Sequence, residues 1–359
     1  MWFEAKPRKV VVPRPGGTSK RWQQTSSGLA PRAVRVVDIR HETASAITLL
    51  LEPEDGRRIV IRAGQYLTHC FNINGTQFKR AFSLSASEGG ALACTIKLIP
   101  DGVVSRHVSQ QLRVGDHYTL IGPTGDFVLD PASVRPLAFL AAGSGITPVI
   151  SLIETALAQN AERRVRLIYA SRSEGDIIFR ERLEDLARRH PNLQITYVLS
   201  QPSSGWRGER NRLNGERAAT LLEMTDADFY LCGPVALMDA TEQALRARGV
   251  TALHIRRERF MPAAQPQAAR PTTPQLIEFR VSGKTVLQQP GETILEAGLR
   301  EHVALPFSCT VGGCGHCKVQ VLEGDIALNE PNCLSPEERA AGYTLACSAF
   351  ATSRIALNI

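Results

Sequence analysis

The stretch CTVGGCGHC, residues 309 to 317, spaces Cys309, Cys314 and Cys317 with four and two residues between them, and Cys347 follows thirty positions after Cys317. C-x4-C-x2-C with a distant fourth cysteine is the ligand set of a plant-type [2Fe–2S] cluster. Two irons and two sulfides held by four thiolates form a bulky anion. The loop must therefore fold closely around it and turn backbone N–H groups toward sulfur, a path that Gly312, Gly313 and Gly315 permit. Structural zinc prefers two separated pairs of close ligands, and a Rieske centre needs two histidines where only His316 is adjacent. His316 then reads as an onlooker and Cys333 as a bystander, while Cys70 and Cys94 fall in strand-like runs and read as buried thiols.

A second signal is GSGITP, Gly143 to Pro148, between an apolar strand-like run and a helix-like one. A glycine turn lets phosphate oxygens approach the backbone, a helix N-terminus favours their charge, and Pro148 suits a first helical turn. Such turns also simply close tight corners, but CGPVALM, Cys232 to Met238, repeats the strand, Gly-Pro turn and helix further on. Two such turns on one parallel sheet make a crevice of the kind that holds a dinucleotide. A third signal is RAFS, Arg80 to Ser83, with Gly102 and Ser105 beyond it. An arginine suits a pyrophosphate, an aromatic ring can lie against a flat ring system, and a serine can hydrogen-bond a ring nitrogen. Read alone, these are equally a strand arginine, a core phenylalanine and a helix cap.

The elements that must position these residues fall into blocks. Residues 32–131 alternate short β-type runs (AVRVVDI, AITLLLE, YLTHCFNI, ACTIKLI) with turn signals such as NINGT, which predicts an antiparallel β-barrel. Residues 132–261 alternate strand and helix (LAFLAA, PVISLIETALA, VRLIYA, DIIFRERLEDLARRH), which predicts an α/β doubly wound parallel sheet. Residues 262–274 carry four prolines and no glycine, a semi-rigid spacer of roughly 40 Å at most. Residues 275–359 form the cysteine-bearing domain, with a short helix at TILEAGLREH whose Thr293 and Glu296 are placed as a capping box.

Of the net charge of +7, +5 sits in residues 1–31, expected to be a basic flexible tail, and residues 276–359 carry −3. An acidic C-terminal block beside a basic middle one predicts electrostatic docking between them. No basic and aromatic motif points to nucleic acid. The apolar run Leu137 to Ile153 approaches the length of a membrane span but is broken by Gly143, Gly145 and Pro148, so no transmembrane segment is expected. No signal-like stretch opens the chain, so a reducing cytoplasm is the expected location and the eight cysteines read as ligands or buried thiols.

In order and together, these motifs resemble the ferredoxin–NADP reductase superfamily. Within it they resemble the reductases with a C-terminal plant-type ferredoxin domain, those of the phenylacetyl-CoA oxygenase, ketosteroid hydroxylase and hybrid cluster protein types. The resemblance covers residues 33–359. It implies a flavin-binding β-barrel, a nucleotide-binding domain and a β-grasp ferredoxin domain. The family's flavin motif R-x-Y-S is matched by Arg80, Ala81, Phe82 and Ser83, with phenylalanine in place of tyrosine. Its second flavin segment is matched by Ile96, Lys97 and Leu98, and its phosphate loop by Gly102, Val103 and Ser105. The nucleotide turn is matched by Gly143, Gly145, Thr147 and Pro148, with Thr147 facing the flavin in that family, and the nicotinamide side by Cys232, Gly233 and Pro234. Glu258 and Phe260 match the segment that closes over the flavin's far edge. Ser83, Thr147, Cys232, Glu258 and Phe260 are thereby the candidate catalytic residues.

The resemblance implies FAD, with FMN left open, a [2Fe–2S] cluster, and NADH or NADPH as donor. A nicotinamide gives up two electrons together and the cluster accepts one, so a flavin between them splits the pair. The acceptor is expected to be a redox partner protein, an oxygenase or hydroxylase component, with the chain a monomer and the proline spacer letting the cluster domain swing between flavin and partner. The alternatives are an electron-relay subunit of a larger complex or the reductase of a hybrid cluster protein. After VRLIYA come Ser171 and Arg172 with no acidic residue at the strand end, which mildly favours a 2′-phosphate. Related NADH users share such an arginine, and the coenzyme stays NAD(P)H.

Overall fold

The computed structural model describes residues 31–88, 91–260 and 271–359. The basic N-terminal tail, and the proline spacer as far as residue 270, lie outside the described residues. In the first block, β1 (Arg32–Thr43), β2 (Ala46–Pro53), β3 (Tyr66–Ile73), β4 (Thr76–Glu88), β5 (Ala91–Lys97) and β6 (His117–Thr124) close a barrel in the order β1-β2-β5-β4-β3-β6. The predicted NINGT turn joins β3 to β4 by Asn74 and Gly75, both at positive φ (51° and 77°), as a two-residue hairpin turn with right-handed strand twist requires. Alternate residues such as Leu49, Leu51, Leu67, Phe71 and Ile96 fill the interior.

The second block is a six-stranded parallel sheet of β7 (Leu137–Ala142), β8 (Val165–Ser171), β9 (Leu193–Leu199), β10 (Glu209–Arg210), β11 (Asp228–Cys232) and β12 (Ile255–Glu258), in the order β10-β9-β8-β7-β11-β12. The apolar run that approached membrane length resolves into β7, a glycine turn and the helix Ile146–Gln159. Leu137 and Phe139 of β7 pack on the core beneath that helix, while Ala138 and Leu140 pack on the opposite core with residues of the helices Gly215–Leu222 and Val235–Ala247. A central strand covered on both faces has to be apolar at every position. Among the described residues no helix is long and apolar enough to cross a membrane.

The chain runs outward from β7 through β8, β9 and β10, then returns to β11 on the other flank of β7, so the strand order reverses between β7 and β11. Ligand crevices of open α/β sheets form at the carboxyl ends of the strands at such a switch point. The short, polar β12, IRRE, was not anticipated from sequence; it pairs with β11 in a register that sets Glu258 beside Cys232.

The C-terminal block is a mixed sheet in the order β14-β13-β19-β15-β17, built from β13 (Gln275–Phe279), β14 (Lys284–Gln288), β15 (Lys318–Glu323), β17 (Tyr343–Leu345) and β19 (Ile355–Leu357), with a ribbon of β16 (Ile326–Leu328) and β18 (Ala349–Ala351). The helix Ile294–Arg300 packs on it, its start fixed by the expected capping box, in which Thr293 Oγ1 accepts from Glu296 N at 3.2 Å and Thr293 N donates to Glu296 Oε2 at 2.9 Å. A helix packed over a mixed sheet is the β-grasp arrangement expected from the resemblance.

Candidate functional site

The two glycine turns meet at the switch point. A Cβ on Gly145 would lie 2.1 Å from the Cys232 carbonyl oxygen, and one on Gly233 would lie 2.9 Å from Ala142 Cβ. Glycine is therefore needed at both positions for closeness rather than for backbone angle; only Gly143 is left-handed, with φ 55°. Pro148 lies in the first turn of the helix Ile146–Gln159 and is buried, as is Thr147, whose hydroxyl donates to the Ser144 carbonyl at 2.9 Å and braces the turn. The Lys97 ammonium overhangs Gly143, 3.3 Å from where a Cβ would be. A bare backbone turn under a cation is a cradle suited to phosphate. At the neighbouring strand end, the acid that Ser171 and Arg172 leave wanting is supplied by the following loop. Asp176 takes a hydrogen bond from Ser173 Oγ (2.5 Å), pairs with Arg172 (3.3 Å), and its carbonyl accepts from Ser171 Oγ (2.9 Å). The Ser173 hydroxyl holds its carboxyl below the usual range.

Strand β4 carries Arg80, Ala81, Phe82 and Ser83 along the barrel wall, paired in register with His69, Thr68, Leu67 and Tyr66 of β3. Arg80 is half-buried. Its guanidinium donates to its neighbour's carbonyl, and among the described residues no carboxylate is paired with it; burial pushes its pKa down. A guanidinium drawn partly out of water without a counter-anion carries a desolvation cost, and a phosphate group fits that deficit. Phe82 packs edge-on against His69, with ring centroids 5.1 Å apart. His69 is fully buried, and burial depresses its pKa to about 3; Nδ1 meets the Tyr118 hydroxyl at 2.9 Å while Nε2 has no partner. Ile96 is buried in the barrel core, and Leu98 donates its N–H to Ser45 O. Gly102 begins the phosphate-loop match. Ser105 closes that loop on itself by accepting from Ile99 N at 2.8 Å, while Val103 stays exposed.

Three candidates from three segments come together at one point. Ser83 Oγ donates to Glu258 Oε1 at 3.3 Å, and Glu258 pairs with Cys232 across β11 and β12. Burial pushes the Glu258 carboxyl up to about 8, with the charges of Cys314 and Asp126 adding to the rise and the Ser83 hydrogen bond opposing it. It therefore holds a proton at neutral pH. Burial pushes the Cys232 thiol far up, so it stays a thiol. Pro234 precedes the helix Val235–Ala247. Phe260 is exposed and ends the second described segment.

In the C-terminal domain the four cysteines converge. The Cys309 thiol touches those of Cys314 and Cys347, and Cys347 touches Cys317. Backbone N–H groups point at sulfur: Val311 and Gly313 at Cys309 Sγ (3.4 and 3.3 Å), Gly312 at Cys347 Sγ (3.3 Å) and Cys309 at Cys314 Sγ (3.4 Å). Gly312 and Gly315 are left-handed (φ 75° and 76°), and a Cβ on Gly312 would strike Ser348 Oγ at 2.8 Å. Four thiols touching in a chain, ringed by N–H donors, suit a two-iron cluster. Cys333 is half-buried next to this set, its N–H donating to Gly312 O at 3.0 Å.

Sequence reasoning did not anticipate how this loop sits on the barrel. Tyr66, opposite Ser83 in the β3–β4 register, has its hydroxyl 2.6 Å from Ser308 Oγ, and Thr68 Oγ1 donates to the Cys309 carbonyl at 2.8 Å. Lys79 pairs with Glu296 at 3.0 Å, a charge complementarity of the kind expected from the acidic balance of the C-terminal block. His316 is more than an onlooker: Nε2 reaches Asp126 of the barrel segment at 3.0 Å, and its side chain also touches Cys314.

Three domain families match in succession: an oxidoreductase FAD-binding domain over residues 34–129, an oxidoreductase NAD-binding domain over 139–243 and a 2Fe–2S iron–sulfur cluster binding domain over 279–352. The chain is 33% identical to a component of the 1,2-phenylacetyl-CoA epoxidase of Escherichia coli (strain K12), spanning 89% of this chain and 94% of that protein. It is 28% identical to the glycine betaine monooxygenase reductase subunit of Chromohalobacter salexigens, over 90% of this chain and 94% of that protein. Among solved structures, phthalate dioxygenase reductase matches with a TM-score of 0.63 over 93% of this chain and 100% of that one, at 22% identity, a likeness of fold. The chain belongs to the ferredoxin–NADP reductase superfamily, as an FAD- and nicotinamide-dependent oxidoreductase with a C-terminal [2Fe–2S] domain.

Proposed function

We propose that this chain is the reductase component of an oxygenase or hydroxylase system, delivering single electrons from NADH or NADPH to a partner protein. The observation that carries this reading is the seating of the cysteine loop on the flavin-side strand through Tyr66 and Thr68, next to the Ser83–Glu258 contact that joins barrel and nucleotide domain, so that all three cofactor sites adjoin within one chain. When bound, the nicotinamide supplies a hydride, the flavin converts the pair into single electrons, and the cluster passes them on. The protein's own part is to position and tune. Arg80 would neutralise flavin phosphate, and Phe82 would flank the ring system. Ser83 and the protonated Glu258 would offer hydrogen bonds to the flavin, and Phe260 would cover it. Gly143, Gly145, Gly233 and Pro234 would let the nucleotide approach the backbone between Thr147 and Cys232. Cys309, Cys314, Cys317 and Cys347 would hold the cluster.

Arg172 already meets Asp176, so a 2′-phosphate would compete with a carboxylate for it; this shifts the preference toward NADH. A path complete within one chain supports action as a monomer, and eight cysteines without a disulfide support a reducing, cytoplasmic location. Anaerobic titration with NADH and NADPH, followed by visible absorption and low-temperature EPR, should bleach the flavin and raise a reduced [2Fe–2S] signal, with NADH the more effective donor. A bleached flavin with no cluster signal would overturn the reading. The relatives also include an NADH oxidoreductase of Escherichia coli (strain K12), 30% identical over 94% of its length, which adds support for NADH as the donor.

A further inference from the structure

Thr310, next to the ligand Cys309, carries two costs that no contact within the chain offsets. Its backbone is left-handed, with φ 55°, and of the described non-glycine residues in that conformation it alone is β-branched. A β-branched residue is strained there, where glycine fits freely. Its side chain is buried, and Oγ1 is sealed from solvent with no hydrogen-bond partner. A hydroxyl buried without a partner keeps its full desolvation cost. Other hydroxyls that bear on the cysteine loop are engaged: Tyr66 with Ser308, Thr68 with the Cys309 carbonyl, and Ser348, whose Oγ lies 3.4 Å from Cys347 Sγ. The turn at Thr310 also leads the chain from Cys309 into Val311 and Gly313, whose N–H groups point back at Cys309 Sγ. Strain and an unpaired buried polar atom at one residue call for a partner. A ligand that enters an open crevice finds its partner atoms exposed to water beforehand. An atom already sealed faces a space that the protein itself closes, and the closed space next to Thr310 is the one the four cysteines ring.

We propose that the Thr310 hydroxyl donates a hydrogen bond to a sulfur of the cluster, beside the N–H groups already aimed at the thiols, and thereby helps to set the cluster's reduction potential. The inference rests on the reading of Cys309, Cys314, Cys317 and Cys347 as cluster ligands. One-electron reduction makes the cluster more negative, so a donor to sulfur binds the reduced state more tightly and raises the potential. Ser348 beside Cys347 Sγ is a second hydroxyl placed next to a ligand sulfur in this site.

The test is a redox titration of the holoenzyme followed by low-temperature EPR, with iron and sulfide content measured for each variant. Thr310→Val removes the hydroxyl and keeps the branched shape. Thr310→Gly removes the hydroxyl and relieves the left-handed backbone, while Thr310→Ser keeps the hydroxyl. Thr310→Val and Thr310→Gly should each make the reduction equilibrium about three- to tenfold less favourable, a fall of about 30–60 mV for one electron, with Thr310→Ser close to wild type. Flavin bleaching by NADH should be unchanged in all three. Loss of the cluster from both hydroxyl-free variants, but not from Thr310→Ser, would support the same contact. A full cluster at wild-type potential in Thr310→Val or Thr310→Gly, or a potential lowered as far in Thr310→Ser, would overturn the proposal. A wild-type protein that shows no reduced [2Fe–2S] signal is a separate result and would overturn the cluster reading itself.

Discussion

Gly145→Ala is the sharpest perturbation of the nucleotide crevice. The added methyl group would stand 2.1 Å from the Cys232 carbonyl oxygen and 2.6 Å from its carbon, where ordinary contact begins at 3.4 Å, so the turns after β7 and β11 must part by more than an ångström. Both flank the switch point on adjacent, hydrogen-bonded strands, which leaves no flexible side chain to absorb the shift. Overpacking of this kind costs about 1–3 kcal/mol. A displacement of about 1 Å between reacting groups can slow a reaction by about 100-fold. Stopped-flow reduction of bound flavin by NADH should slow by one to two orders of magnitude (about 10- to 100-fold), while the flavin and cluster absorption stay in place. Gly175→Ala is the matched control, since nothing lies within 4 Å of a Cβ there and its φ is not left-handed. Wild-type flavin reduction in Gly145→Ala would refute the claim that contact between the two turns shapes the nucleotide site.

Arg80→Gln should weaken flavin retention by about 10- to 100-fold, read by dialysis and flavin fluorescence, since a charge-assisted hydrogen bond contributes about 1.5–3 kcal/mol. Glu258, raised from 4.5 to about 8 by burial, binds its proton more tightly folded than unfolded, so its contribution to stability is full below pH 4.5 and lost as pH rises through 8. The shift corresponds to at most about 5 kcal/mol, and partial exposure to solvent brings the expected loss nearer to about 1–2 kcal/mol. Thermal midpoints from pH 5 to 9 should fall more steeply in wild type than in Glu258→Gln, and parallel curves would contradict the assignment. Cys347→Ser should abolish the cluster's visible absorption while leaving flavin bleaching by NADH, whereas Cys333→Ser should keep both.

The three blocks and their cofactor chemistry were legible in the sequence because local rules carry them. Asn74-Gly75 dictates a hairpin, Thr293 and Glu296 dictate a helix start, and the cysteine spacing dictates a cluster. The short capped helix Pro336–Ala340, with its reciprocal Ser335 and Glu338 contacts, carries the same kind of signal in SPEE, although its five residues are too few to show a periodic apolar face. Strand β12 could not be read locally: IRRE has no alternation or apolar run, and it is a strand because β11 offers it an edge.

What the sequence determined by itself was which cofactors the chain can hold, since ligand type, spacing and turn chemistry depend on neighbours along the chain. Only the tertiary structure decided how the sites address one another. The 2.1 Å closeness of the Gly145 and Cys232 turns, the neutral Glu258 against Ser83 and the four-point seating of the cysteine loop all join residues from different segments. His316 shows the difference most plainly. Along the chain it is a spare residue between two ligands, and in space it bridges the cluster loop to Asp126. Such contacts are set by strand order, register and domain docking, and those are properties of the packed molecule rather than of any stretch of sequence.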